Sequence, residues 1–373
     1  MIEPRLLLGS GPSPVPQRVL DALARPTIGH LDPQFGALMD EVADLLRATF
    51  RTANRVAFPL SATGSGGMQA LVDTLIAPGD TVVCGIHGLF GERMADALGR
   101  AGASVVRVEA EWGRAIETQR LVDAWRPDMR ALFVVHGETS TGVAQPLEGL
   151  REAVGDGLLL VDCVTSLAGH PLDLDASGVD AAFSGTQKCL NCPPGLAPFT
   201  VADRATERLS RRSWYFDLEA ILGYWRDGDG ARAYHHTAPI NMVYALHEAL
   251  LLVHEEGLET RWARHATAHE ALRRALGELG FKRLAPEGEQ LSSLLCVRVP
   301  DGVDEAVVRG RLLSAHGIEV SGGLGPLAGK VWRIGVMGDG ARLEPQARLV
   351  EAVAHELGVN GSVALEVLER GWA

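Results

Sequence analysis

The chain has 373 residues, 46% of them hydrophobic and 22% charged, which suits a large folded core and excludes a disordered chain. With 35 Lys and Arg against 47 Asp and Glu, the net charge is −12 and no basic run occurs, so neither nucleic acid nor an anionic membrane is an expected partner. No apolar stretch reaches the length of a membrane span.

The first 18 residues, with four prolines and the run GSGPSPVP, read as an extended arm. They lack the charged and apolar regions of a signal peptide, and ERGWA at the other end is not an organelle address. From about residue 55 to 200, short apolar runs (RVAFPL, TVVCG, SVVRV, ALFVVHG, LLLVD, AAFSG) read as buried strands. Segments with helical spacing, such as GGMQALVDTLI and FGERMADALGRAG, lie between them. This alternation predicts an α/β fold with a mostly parallel sheet, which binds its ligand at the carboxyl ends of the strands.

After about residue 240 the pattern changes. NMVYALHEALLLVHEE and ETRWARHATAHEALRRALGELG read as two helices meeting at Gly257. A strand LSSLLCVRV, a helix DEAVVRGRLLSAHG, strands around IEVSG and KVWRIGVMG, and a helix EPQARLVEAVAHELG follow. The expected organisation is an arm (1–18), a large domain (19–255) and a small α+β domain (256–373).

Three features carry chemistry. SATGSGGMQAL places a Gly-rich loop between a strand and a helix, where backbone N–H groups can hold a phosphate. It fits neither the nucleotide P-loop nor a clean dinucleotide fingerprint. LLLVDCVTS sets Asp162 at the end of an apolar strand, where a carboxylate needs a cationic partner or caps a neighbouring loop. FSGTQKCLNCPPG holds Lys188, one of only three lysines (with Lys282 and Lys330) against 32 arginines. Arginine cannot give up its proton to become a nucleophile, whereas a desolvated lysine can.

Other readings compete. Five cysteines (84, 163, 189, 192, 296) point to reduced thiols and a cytoplasmic protein. Cys189-x-x-Cys192 lacks a second pair for zinc, and His30, His136, His235 and His236 lack a metal-binding spacing, so no metal is expected. A phosphate cradle, a carboxyl for a ring nitrogen and a lysine for an aldehyde together fit pyridoxal 5'-phosphate.

The ordered motifs LLLGSGPSPVP, GIHGLFGER, HGETSTG, VDCVTSLAGHPLDLD, SGTQKCLNCPPG, YHHTAP and GGLGPLAGKVWRIGVMG run along almost the whole chain. In them the chain resembles the fold-type I, class V aminotransferases, in the alanine–glyoxylate / serine–glyoxylate (serine–pyruvate) branch. The resemblance implies that Thr63, Gly64, Ser65 and Gln187 hold the phosphate, and that Phe90 stacks on the ring while Val164 packs its other face. It implies that Asp162 pairs with the ring nitrogen, Lys188 takes the aldehyde, and Ser140 contacts cofactor or substrate. Arg333 would bind the substrate carboxylate, and Tyr234 and Thr237 would reach the partner's phosphate in a homodimer. Phe90 stands where relatives often have tryptophan; Ser65 and Gln69 replace a histidine or threonine and a glutamate.

The expected reaction moves an amino group from alanine or serine to a small 2-oxo acid, glyoxylate. Rivals are a ureidoglycine donor, a cysteine desulfurase or lyase with Cys296 as nucleophile, and a cofactor-free binding protein.

Overall fold

The computed structural model describes residues 3–225 and 232–372. Its main sheet has seven strands: β1 (Val56–Leu60), β2 (Thr81–Ile86), β3 (Ser104–Glu109), β4 (Ala131–Val135), β5 (Leu158–Asp162), β6 (Ala181–Phe183) and β7 (Ala197–Val201). Their spatial order is β1-β7-β6-β5-β4-β2-β3. Only β7 runs against the others, pairing antiparallel with both β1 and β6. Strands β4 and β5 are buried along their whole length. They are written almost entirely in Val, Leu, Ala and Phe because helices cover both faces of a parallel sheet.

The helix Gly64–Leu75 follows β1 and lies close on the sheet. A Cβ on its Gly67 would stand 3.0 Å from Ala197 Cβ and 3.2 Å from Phe183 Cβ. The helices Pro33–Phe50 and Ile240–Glu256 pack on each other and complete this large core, which draws on residues from Val19 to Leu258.

A second core gathers Leu8 with residues from Ala268 to Leu368. Its antiparallel sheet contains β8 (Lys282–Arg283), β9 (Leu294–Arg298), β10 (Ser321–Gly322) and β11 (Val331–Gly335), in the order β8-β9-β11-β10. Four helices, Leu258–Glu278, Glu305–His316, Leu343–Leu357 and Ser362–Trp372, supply the rest of this core.

The N-terminal stretch is extended but fixed. Leu6–Leu7 pairs in parallel with Ile318–Glu319, Leu8 N–H donates to Glu319 O, and Gly335 N–H donates to Leu8 O. The chain then passes the carboxyl ends of the main sheet, where Ser13 N–H donates to Gln187 O. No described helix is long and apolar enough to cross a membrane.

Candidate active site

The carboxyl ends of β1, β2, β4, β5 and β6 lead into loops that share one cavity of about 200 Å³. Gly64, Ser65, Phe90, Asp162, Val164, Gln187 and Lys188 line it, together with Met68, Arg93, Gly137, Thr139, Thr165 and Phe183. Sequence separation from 64 to 188 is closed by the parallel topology, which delivers each loop to the same edge.

Lys188 is buried, and burial pushes its amine down to about 8; the nearby Arg333 charge acts in the same direction. Its Nζ donates to the carbonyl of Ser10 in the N-terminal stretch. Gly11 comes next, at φ +106°, and a Cβ there would lie 2.5 Å from Lys188 Nζ. Glycine is therefore required twice, for the backbone angle and for the space the amine occupies.

Asp162 ends β5 with its side chain buried. Val164 N–H donates to its Oδ1 at 2.8 Å, and no ion pair holds it among the described residues. Burial raises its pKa to about 7, and the neighbouring Glu138 charge adds to the rise. A buried carboxyl with one backbone donor and no ion-pair partner among the described residues is a site prepared for a cationic ligand atom.

Glu138 was not singled out from sequence, although it sits inside the HGETSTG motif. It is wholly buried, and its carboxylate gathers four donors. Phe90 N–H (3.0 Å) and Gly91 N–H (3.4 Å) reach Oε2; Ser140 N–H (2.9 Å) and the Ser140 hydroxyl (2.6 Å) reach Oε1. Ser140 Oγ in turn accepts from Leu89 N–H at 2.9 Å. Ser140 is thus engaged with Glu138 and the start of the helix Leu89–Arg100, and it does not line the cavity, whereas Thr139 and Thr165 do. Through Glu138 and Leu89 it holds the first turn of the helix that carries Phe90.

At the other end, Thr63 caps the helix Gly64–Leu75 without a side-chain hydrogen bond to it. The first helical N–H groups therefore remain available to an anion, and Ser65 Oγ accepts from Arg93 at 3.2 Å. The Arg93 guanidinium also lies 4.8 Å from the centroid of the Phe90 ring. Gln187 carries a buried Oε1 with no partner. A helix N-terminus, an unpartnered amide, an unpaired carboxyl and a low-pKa lysine in one cavity fit the phosphate, polar ring and aldehyde of pyridoxal 5'-phosphate.

Besides Ser140, the expected residues Thr63, Arg333, Tyr234 and Thr237 do not line that cavity. Arg333, on β11, is buried and forms no ion pair among the described residues. It donates to Gly322 O (2.8 Å) and Thr139 O (3.4 Å) and lines an adjoining cavity of about 390 Å³ with Arg309, Ser321 and Leu324. Tyr234 is exposed, with its Oη 3.4 Å from Thr237 Oγ1. Within a single chain neither of these two reaches the cavity.

The cysteines are packing residues here. Cys189 and Cys192 are buried, and burial raises their thiols to about 11 and about 12. Cys296 lies buried in β9, and burial likewise raises it to about 12, far from the thiolate a desulfurase nucleophile needs.

The Aminotransferase class-V family matches residues 5–330. The chain is 35% identical over 393 residues to the (S)-ureidoglycine–glyoxylate transaminase of Bacillus subtilis (strain 168), covering 97% of this chain and 94% of that protein. It is 37% identical over 365 residues to the alanine–glyoxylate aminotransferase of Rattus norvegicus, covering 95% and 88%. The crystal structure of alanine–glyoxylate aminotransferase from Nostoc sp. superposes with a TM-score of 0.92 at 45% identity, covering 96% of each chain. Lysine, carboxyl and anion cradle, on a fold shared along nearly the whole length, lead to one conclusion: the chain belongs to the class V aminotransferases, enzymes that transfer amino groups with pyridoxal 5'-phosphate.

Proposed function

We propose that this transaminase moves the amino group of a small L-amino acid, alanine or serine, to glyoxylate in two half-reactions on one site. The observation that carries the reading is the burial of Lys188 and Asp162 in one cavity, neither held in an ion pair among the described residues. Relatives named for glyoxylate as acceptor supply the substrate class.

The cofactor, when bound, supplies a sink for the electrons of the substrate Cα–H bond. Gly64 and Ser65 N–H groups, the Thr63 hydroxyl and the Gln187 amide would hold its phosphate. Asp162 would keep the ring nitrogen protonated, and the field of that cation would draw the Asp162 pKa back down. Phe90 and Val164 would face the ring. Lys188 Nζ, whose pKa burial lowers to about 8, would take the proton from the substrate Cα and return it. Arg333, a buried guanidinium with no carboxylate of its own, would receive the substrate's.

Tyr234 and Thr237 are exposed residues that would complete the phosphate site of a second copy in a homodimer. The reduced, buried thiols suit a cytoplasmic protein.

The test is a half-reaction screen: the yellow holoenzyme is mixed with single amino acids and its visible absorbance is followed. Alanine or serine should bleach it rapidly, and glyoxylate should restore it. No bleaching by any amino acid would end the reading. The Bacillus relative gives a second reading, ureidoglycine as donor, and faster bleaching by ureidoglycine than by alanine or serine would favour it.

A further inference from the structure

Away from the cavity, two helix ends of the second core meet. The helix Glu305–His316 closes on His316, and the last turn of Leu343–Leu357 carries His355 and Glu356. One ligand atom from each of these three side chains lies within 4.8 Å of the other two. His316 Nε2 is 2.9 Å from Glu356 Oε1, and the His316 and His355 rings meet edge to face with centroids 5.4 Å apart. The Glu356 side chain is only 7% exposed, whereas His355 faces solvent. The cluster therefore combines a covered carboxylate anchor with a ligand that an ion can reach.

An ordinary surface pair explains part of this. Glu356 accepts from His316 and has Arg311 Nη1 3.6 Å away as a second cation. That account leaves His355 with only its ring contact and its charge beside Glu356, because among the described residues its side chain makes no hydrogen bond. Arg311 is largely exposed, so solvent screens its repulsion of a bound cation.

Two imidazoles and a carboxylate are a donor set for borderline divalent ions, zinc first; calcium and magnesium prefer oxygen throughout. Bonds of about 2.1 Å in a tetrahedron place ligand atoms about 3.4 Å apart, so three atoms within 4.8 Å need only side-chain adjustment. We propose that His316, His355 and Glu356 bind one zinc-type divalent cation, with water in the fourth position. The ion would tie the end of one helix to the end of the other. Gly317, directly after His316, accepts Leu6 N–H at 2.9 Å, so the ion would also brace the strand to which the N-terminal stretch is paired.

The test uses untagged, full-length holoenzyme, cleared of metal with a chelator and dialysed. Zinc chloride is titrated by calorimetry, and cobalt(II) is added separately to read coordination from its visible bands. The expected result is one equivalent bound with a micromolar dissociation constant and low-coordinate cobalt bands. A raised thermal midpoint in zinc should accompany it. His316→Ala and His355→Ala should each abolish the heat, the bands and the thermal shift. His355→Asn serves if an alanine variant fails to fold, since that side chain is exposed. Absence of zinc uptake by the wild type, or uptake by the variants equal to it, would overturn the proposal.

Discussion

Replacing Gly11 by alanine separates two demands that glycine meets at once. The first is conformational: Gly11 sits at φ +106°, where an L-residue costs about 1–2 kcal/mol. The second is spatial: the new Cβ would lie 2.5 Å from Lys188 Nζ, 2.8 Å from its Cδ and 3.0 Å from its Cε. Those carbons stand inside van der Waals contact, so the lysine must move by about 1 Å, a displacement that costs on the order of 10²-fold in a reaction needing aligned atoms. Gly79 provides the control, with φ +87° and nothing within 4 Å of its would-be Cβ. Both variants should lose similar thermal stability without cofactor, about 1–2 kcal/mol. Only Gly11→Ala should take up pyridoxal phosphate slowly, about 10²-fold below wild type when the visible absorbance is followed by stopped flow. Uptake by Gly11→Ala at the wild-type rate would refute the reasoning, and so would equal slowing of Gly79→Ala.

Cofactor uptake by the cofactor-free chain should rise with pH and level off near 8, because the Lys188 amine must be neutral to react and burial has brought its pKa there. Relative to an ordinary lysine, the neutral fraction at pH 7.5 is about 200-fold larger; a rate still climbing tenfold per unit beyond pH 9 would contradict this. Asp162→Asn should stabilise the cofactor-free chain at pH 8 while weakening its hold on the cofactor. The sign follows from a folded pKa raised from 3.8 to about 7: the wild type loses stability as pH climbs through that window, and the loss is complete above it. Equal thermal midpoints for the two proteins at pH 8 would remove that argument. Glu138→Gln should lower the denaturant midpoint by an amount worth about 3 kcal/mol and speed cofactor loss, since an amide N–H₂ would face donors that now meet a carboxylate. An unchanged midpoint would show that the helix start carrying Phe90 holds itself.

The sequence disclosed what depends on local pattern. The apolar runs before Leu60, Ile86, Val135 and Asp162 coincide with strands, and the Gly-rich loop does start a helix at Gly64. Lys188 stood out through composition, because lysine is rare here and arginine cannot replace its chemistry. Contacts between distant segments were illegible. β7, the one reversed strand of the sheet, is not among the apolar runs read as strands, and its place is set by pairing with β1 and β6. Glu138 was not singled out, since burial is a property of the folded chain. Ser10 and Gly11 read as arm because nothing local connects them with a lysine far along the chain. The proposed reach of Tyr234 and Thr237 to a second molecule is not something one chain's geometry contains.

The pairing of Leu6–Leu7 with Ile318–Glu319 has a consequence for how the protein is made. The two segments are roughly 300 residues apart, a loop whose closure must wait until most of the chain exists. During synthesis the main sheet can form, and the lysine loop with it, before the strand that fastens the segment over Lys188 has left the ribosome. In that period the segment over the amine would be fastened only by contacts such as Ser13 N–H to Gln187 O and Ser13 Oγ to Lys188 O, leaving an aldehyde more room to reach it. Cofactor supplied during translation would meet a more open site than cofactor added to the finished chain.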